Sequence, residues 1–323
     1  MAKFGVYGMC NPLFDLQVEI SDSLLQELGY EKGSMNLVDH EAQGNLIPKV
    51  YEHIVNAAAG GSGANTLYHF GLLGGKGSYT GHVGLDEHGR MYRESLEGHG
   101  IRANLGESNG ETGTCVVMIT PDAERTMVTY LGKALSLRPE DIYVQDLVNS
   151  QYLYITGYLW DTEEQKSSVE HAMKTATTNG VKVAFSLSDP FCVHRHPDDF
   201  MRLIKDHVDV LFGNDAEVQA LTGLDDPEQA AIQLSKDVDL VAVTLGAEGS
   251  ILVHNGEVTR CPALKIVAVD STGAGDAYAA GVLYGLTEGK SLAECGKIGG
   301  AIAGRVVAQL GPRLAAIDPA DLA

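Results

Sequence analysis

From Pro139 onward the chain alternates two hydrophobic periods, and that alternation limits its fold more than any other feature. Strand-like runs at 152–156, 181–186, 208–212 and 240–244 are separated by helical patterns at 163–178, 197–207 and 227–235. This spacing predicts a mainly parallel sheet covered by helices on both faces. Ahead of it, residues 4–9 read as a short buried strand, 65–73 as a helix, 77–83 as a strand and 86–99 as a helix. Four short alternating or β-branched runs lie at 15–20, 33–38, 112–120 and 125–131, and the turn Pro121-Asp122-Ala123-Glu124 makes the last two a hairpin. A second hairpin is expected at 250–254 and 258–261 over Asn255-Gly256. Two helices, 274–287 and 292–309, close the chain. With no repeat, low-complexity tract or linker, the reading is one α/β domain over residues 1–323. A small inserted β-sheet lid is assigned to segments 15–20, 33–38 and 112–131.

The stretch richest in chemistry is Asp270-Ser271-Thr272-Gly273-Ala274-Gly275-Asp276-Ala277. A β-rich run at 264–269 is expected to feed this turn as a strand, and an Ala-rich helix follows. The turn sets Asp276 at the start of a helix whose first N–H groups have no intrahelical partner. Those groups and the positive end of the helix dipole suit an anion. A carboxylate beside such a hole can take a proton from an alcohol while the alcohol attacks a phosphoryl group. An ordinary helix with an acidic first turn has the same appearance.

That stretch resembles the C-terminal signature of the PfkB, or ribokinase-like, family of carbohydrate and nucleoside kinases. Asp270, Ser271, Gly273, Ala274, Gly275, Asp276, Ala280 and Gly281 fall in register, with Ser271 replacing the commoner Thr. The family's N-terminal glycine signature is matched by Gly60-Gly61-Ser62-Gly63-Ala64-Asn65, with Gly74 and Gly84 following. Leu67 stands where a small residue is common. Two signatures in the right order are far more specific than one glycine loop. The resemblance implies a three-layer α/β/α fold with a mainly parallel sheet and a β lid. It also implies phosphoryl transfer from ATP with Mg²⁺, and it suggests K⁺ near Asp270 and the Gly311 region.

Carried over by position, the resemblance makes Asp276 the base and the amides of Gly273, Ala274 and Gly275 the anion hole. Asn11-Pro12-Leu13-Phe14-Asp15 is similar to a stretch of adenosine kinases, so Asn11 and Asp15 would grip a vicinal diol, with Gly61 and Asn65 lining the same pocket. An Asx-type turn would also explain Asn11 to Asp15. Asn214-Asp215-Ala216-Glu217 looks like the family's Asn-x-x-Glu motif, in which Asn214 and Glu217 organise Mg²⁺ through water. A plain helix cap reads the same way. Thr244, Gly246 and Gly249, in Thr244-Leu245-Gly246-Ala247-Glu248-Gly249, would hold ATP, and Arg125 on the lid hairpin would reach the phosphates. Gly84-Leu85-Asp86-Glu87-His88-Gly89 resembles a further family segment, although Asp86 suits a helix cap equally well.

The expected acceptor is a primary hydroxyl, most of all that of adenosine, because the 11–15 stretch and Lys32-Gly33-Ser34-Met35-Asn36-Leu37 are similar to adenosine-kinase-like members. Phe14, Leu16, Met35, Leu37 and Met118 would supply apolar surface for a base, or else pack the lid. A kinase of ribose or fructose shares the transfer chemistry, and a silent nucleotide- or sugar-binding regulator is the reading from another class. Either monomer or homodimer is compatible with the resemblance.

Other signals lead elsewhere. Gly289-Lys290-Ser291 has the tail of a P-loop, but Tyr284 occupies the position that needs Gly, so a helix C-cap is expected. His194-Arg195-His196 lacks acidic or cysteine partners and reads as a surface loop. Asp225-Asp226 reads as the approach to a helix at Pro227. No G-x-G-x-x-G follows the first strand, against a Rossmann dehydrogenase. The formal charge of −20 disfavours nucleic acid and anionic membrane as partners, and should repel ATP as well. Five scattered cysteines without CxxC spacing suggest reduced thiols, and the start Met-Ala-Lys-Phe-Gly shows no signal-like run. A cytoplasmic location is therefore expected.

Overall fold

The computed structural model describes residues 3–122 and 124–317, so Ala123 of the lid turn lies outside the described residues. The strands form two sheets. The larger has nine strands in the order Glu257–Cys261, Ser250–His254, Leu240–Thr244, Val210–Asn214, Lys182–Ser186, Ser150–Thr156, Phe4–Met9, Gly77–Gly84 and Ile101–Ser108. Ladders from Leu240–Thr244 through Ile101–Ser108 are parallel, and the two strands beyond Leu240–Thr244 are antiparallel.

Side-chain alternation along these strands builds two cores. Leu153, Ile155, Val183, Phe185, Leu211, Val241 and Val243 point to one face, under the helices Glu163–Thr178, Pro197–His207, Asp215–Thr222 and Pro227–Leu234. Tyr152, Tyr154, Ala184, Phe212, Leu240 and Ala242 point to the other, under Ser62–Leu72, Glu87–Glu97, Ala274–Thr287 and Leu292–Val307. Both faces being buried is why the strands read as unbroken apolar runs. The helices Ala274–Thr287 and Leu292–Val307 approach closely where a Cβ on Gly281 would stand 2.6 Å from Gly299 Cα.

The smaller sheet has the order Met35–Leu37, Arg125–Gly132, Thr112–Ile119, Leu13–Glu19 and Ile54–Ala59. Its fifth strand, Ile54–Ala59, and the helices Asp22–Leu28 and His40–Val50 lie between the expected lid segments. The helices cover one face through Leu25, Leu46 and Val50, packed near Val18, Val116, Met118 and Val128. The main sheet likewise gains an unexpected edge strand, Ile101–Ser108.

One expected strand is absent. Residues 262–268 leave the sheet after Cys261 and join no ladder. Leu264, Ile266, Val267 and Val269 are all exposed, and the segment is tied down where the N–H groups of Val269 and Asp270 donate to Val307 O. β-branched content gave the run strand propensity, but no sheet edge receives it. The Gly289-Lys290-Ser291 segment both ends one helix, with Gly289 at φ 69°, and starts the next through the Ser291–Glu294 capping box. His194 and Arg195 belong to the short helix Pro190–Arg195 rather than to a loop, and among the described residues no three metal-ligating side chains gather. No described helix is long and apolar enough to cross a membrane.

Candidate active site

One cavity of about 470 Å³ opens where the carboxyl ends of the parallel strands face the smaller sheet. That is the position at which open α/β sheets gather ligands. Asn11, Asp15, Gly61, Asn65, Arg125, Asn214, Glu217, Thr244, Gly246, Gly273, Ala274, Gly275 and Asp276 all line it. Gly249 does not. A Cβ there would meet Cys261 O, so this glycine serves the close passage of the 261–263 backbone rather than a ligand.

The floor is the tip of the helix Ala274–Thr287. Gly273 caps it at φ 75°, a conformation that costs a side-chain-bearing residue, and a Cβ there would stand 2.6 Å from Pro312 Cβ. Asp270, buried one turn earlier, shapes the approach. Its Oδ1 accepts from Thr272 N–H at 2.8 Å and Thr272 Oγ1 at 2.5 Å, and its Oδ2 from Gly311 N–H at 2.9 Å. Of the three expected anion-hole amides, Ala274 N–H is partly engaged by Ser271 O at 3.2 Å. The N–H groups of Gly273, Gly275 and Asp276 have no acceptor among the described residues. An anion above this tip would meet free donors and the helix dipole together.

Asp276 is held from the opposite helix, Ser62–Leu72. Ser62 Oγ donates to Asp276 Oδ1 at 2.6 Å, and Asn65 Nδ2 donates to Oδ2 at 3.1 Å. Recess from water pushes its carboxyl above the ordinary carboxylate range, while those two donors and the nearby Arg313 and Arg125 pull it back. The result is a carboxylate aimed by two side chains and inclined to accept a proton.

The smaller sheet builds the facing wall of the cavity. Asp15 lies directly over Gly60, where any Cβ would collide with its carboxylate. Burial pushes the Asp15 carboxyl up to about 7; Arg313 opposes that and Asp276 adds to it. Asn11 is less free than expected: its Nδ2 donates to Tyr158 O at 3.0 Å and its Oδ1 accepts from Gln165 Nε2 at 2.8 Å. Its amide is committed to the scaffold, whereas the buried Asp15 carboxylate lines the cavity. Of the expected apolar residues, Met35 and Leu37 line the cavity. Phe14 instead stacks on His88 with centroids 4.2 Å apart, and Leu16 and Met118 pack beneath the lid. The apolar wall is completed by Leu13, Val117, Met127 and Leu131.

On the far side, Asn214 and Glu217 form a reciprocal cap of the helix Asp215–Thr222. Glu217 N–H donates to Asn214 Oδ1 at 2.8 Å, Asn214 N–H to Glu217 Oε2 at 3.0 Å, and Asn214 Nδ2 to Glu217 Oε1 at 2.9 Å. Burial pushes the Glu217 carboxyl up to about 8. A donor set so occupied with itself fits Mg²⁺ only through intervening water, as suits a cation that keeps its hydration shell. The expected capping role of Asp86 is also present, with its Oδ1 accepting from Gly89 N–H at 2.8 Å. Two residues bear on the site without having been singled out. Ser62 lay unremarked inside a glycine signature, and Arg313 belongs to no motif at all.

A three-layer α/β/α fold with a β lid over a helix-tip carboxylate places the protein among the ribokinase-like kinases. The chain belongs to the pfkB family of carbohydrate kinases, whose family model matches residues 36–318. It is therefore a kinase, and kinases of this family use ATP and Mg²⁺. Its structure is similar to that of adenosine kinase from Sinorhizobium meliloti, with 38% identity, a TM-score of 0.91 and 97% of each chain covered. A probable sugar kinase from Rhizobium etli CFN 42 is 34% identical, with a TM-score of 0.94 over 98% of this chain and 96% of that one. Adenosine kinase from Schizophyllum commune is 29% identical over 342 residues, covering 97% of each sequence.

Proposed function

We propose that the protein transfers the terminal phosphoryl group of ATP to the primary hydroxyl of a nucleoside, adenosine foremost. The observation that carries this reading is the setting of Asp276. It shares one cavity with an apolar lid wall bearing one carboxylate, Asp15, and with Asn214, Thr244 and Gly246 at the strand ends. Asp276 takes the hydroxyl proton as the new P–O bond forms and the bond from that phosphorus to the bridging oxygen breaks, releasing ADP. The free N–H groups at Gly273 and Gly275 receive the charge on the transferring phosphoryl, and Arg125 faces the same space from the lid. Asn214 and Glu217 would hold Mg²⁺ through water, and the ion would there supply charge to offset the nucleotide phosphates. The lid excludes water, which protects ATP from wasteful hydrolysis.

Adenosine is favoured over a free sugar because Met35, Leu37, Val117, Met127 and Leu131 offer a base-sized apolar wall that ribose alone would leave uncovered. Similarity to the Sinorhizobium meliloti adenosine kinase supports that choice. Similarity to the probable sugar kinase of Rhizobium etli keeps ribose or fructose as the second reading. The test compares kcat/KM for adenosine, inosine, guanosine, ribose and fructose, with Asp276→Asn as control. Adenosine should lead and the variant should bind ATP without turnover. Saturation by ribose and not adenosine would replace the acceptor, and near-normal turnover by Asp276→Asn would remove the base.

A further inference from the structure

Four consecutive residues after the last helix each hold a different part of the site. Gly311 N–H donates to Asp270 Oδ2, and Pro312 packs against the Gly273 cap. Leu314 N–H donates to His69 Nε2 at 3.2 Å, which leaves Nδ1–H of that ring to donate to Asn65 O at 2.9 Å. Arg313 reaches furthest. Its Nε donates to Asn65 Oδ1 at 2.8 Å, its Nη1 to Ser95 Oγ at 2.7 Å and its Nη2 to Gly60 O at 3.4 Å, while its guanidinium lies 4.9 Å from the Tyr68 ring centroid. With so many anchors its plane has little freedom. Arg313 itself does not line the cavity.

The consequence falls on Asn65. An asparagine amide has a donor end and an acceptor end of nearly the same shape, and its neighbours choose between them. Arginine carries only donors, so the amide oxygen must face Arg313 and the NH₂ must face Asp276 Oδ2. Reversed, the amide would set its oxygen against the carboxylate and push Asp276 off its line to the acceptor.

We propose that Arg313 is a positioning residue for phosphoryl transfer: by bonding Asn65 Oδ1 it fixes the amide so that NH₂ faces Asp276 and aims that carboxylate at the acceptor hydroxyl. The proposal rests on Asp276 being the base. It predicts an effect on kcat that passes through Asn65, not a loss of nucleotide binding.

The test measures kcat and KM, with adenosine as acceptor (ribose should the comparison above select it), for Arg313→Ala, Arg313→Lys, Asn65→Ala and the Arg313→Ala/Asn65→Ala pair. Displacement of a reacting group by about 1 Å costs on the order of 10²-fold, so Arg313→Ala should lose about that much kcat and keep KM for ATP within about twofold. Added guanidinium should restore part of the loss. Arg313→Lys keeps the charge without the planar fork and should stay well below the parent. Once Asn65 is alanine, removing Arg313 should cost little more, because the two act as one unit. Parent-like turnover of Arg313→Ala, or an undiminished loss in the Asn65→Ala background, would overturn the proposal. Thermal melts establish folding, and if Arg313→Ala is unfolded the lysine variant decides by the same kcat criterion. An inactive Asp276→Asn beside a fully active Arg313→Ala sinks this proposal alone; an active Asp276→Asn sinks the reading beneath it.

Discussion

The Asp15 carboxylate sits in a place that suits a ligand better than it suits the free protein. Burial lifts its pKa from 3.8 to about 7, so the folded chain holds that proton more tightly than the unfolded chain does. The sign follows from linkage. The stability tied to the protonated form is complete below the unfolded pKa near 4, and is lost as pH rises through about 7, by no more than ~4 kcal/mol. Asp15→Asn should therefore melt several degrees above the parent near pH 8 and level with it near pH 4, while losing acceptor affinity. A variant less stable than the parent near pH 8 would show that the buried charge carries no strain. At this scale the sequence was informative where chemistry forces a spacing. Asp276 stood at a helix-start turn that suits an anion, Asn214 and Glu217 stood in a motif resembling the family's Mg²⁺ segment, and all three line the cavity. Arg313 was illegible, because a long side chain reaching back to Asn65 across 248 positions leaves no local pattern.

Along the lid strands, parity decides what each side chain does. Leu13, Asp15, Met35, Leu37, Cys115, Val117, Arg125, Met127, Thr129 and Leu131 face the cavity, and every one is odd-numbered. Pairings such as Asp15 with Cys115, Cys115 with Thr129 and Met35 with Met127 keep the four strands in step. Even-numbered Val18, Val116, Met118 and Val128 pack instead beneath the two lid helices. Met118→Ala should then cost about 2–5 kcal/mol of stability and leave relative preference among acceptors alone. Met127→Ala should do the reverse, raising KM for adenosine with little change for ribose or in melting temperature. Equal loss of stability in both variants would refute the division. For Phe14, Leu16 and Met118 the sequence left two roles open, surface for a base or packing of the lid, and the structure has them packed. Alternation separates two faces without telling which one meets the ligand. The 264–269 run failed differently: its composition suited a strand, but strand formation needs a neighbouring edge, and that is a long-range condition.

Taken whole, the molecule carries a formal charge of −20 and must admit a polyanion. Arg125 and the helix tip supply positive potential only at short range, so the long-range field opposes approach. Raising ionic strength from low values with tetramethylammonium chloride, which avoids any effect of K⁺, should increase kcat/KM for ATP as repulsion is screened. A steady fall would mean that local attraction governs association. The layered architecture was legible because buried parallel strands and their covering helices each impose a period on the chain. Strand order was not. Phe4–Met9 lies in mid-sheet between Ser150–Thr156 and Gly77–Gly84, partners that nothing local in its own sequence specifies. The even and odd rows of the lid bear on descent as well as on packing. Since the side chains that would judge a guest alternate with those that keep the cover intact, a duplicated copy can drift toward a new guest by exchanging one row, while the other row preserves a cover that still shuts.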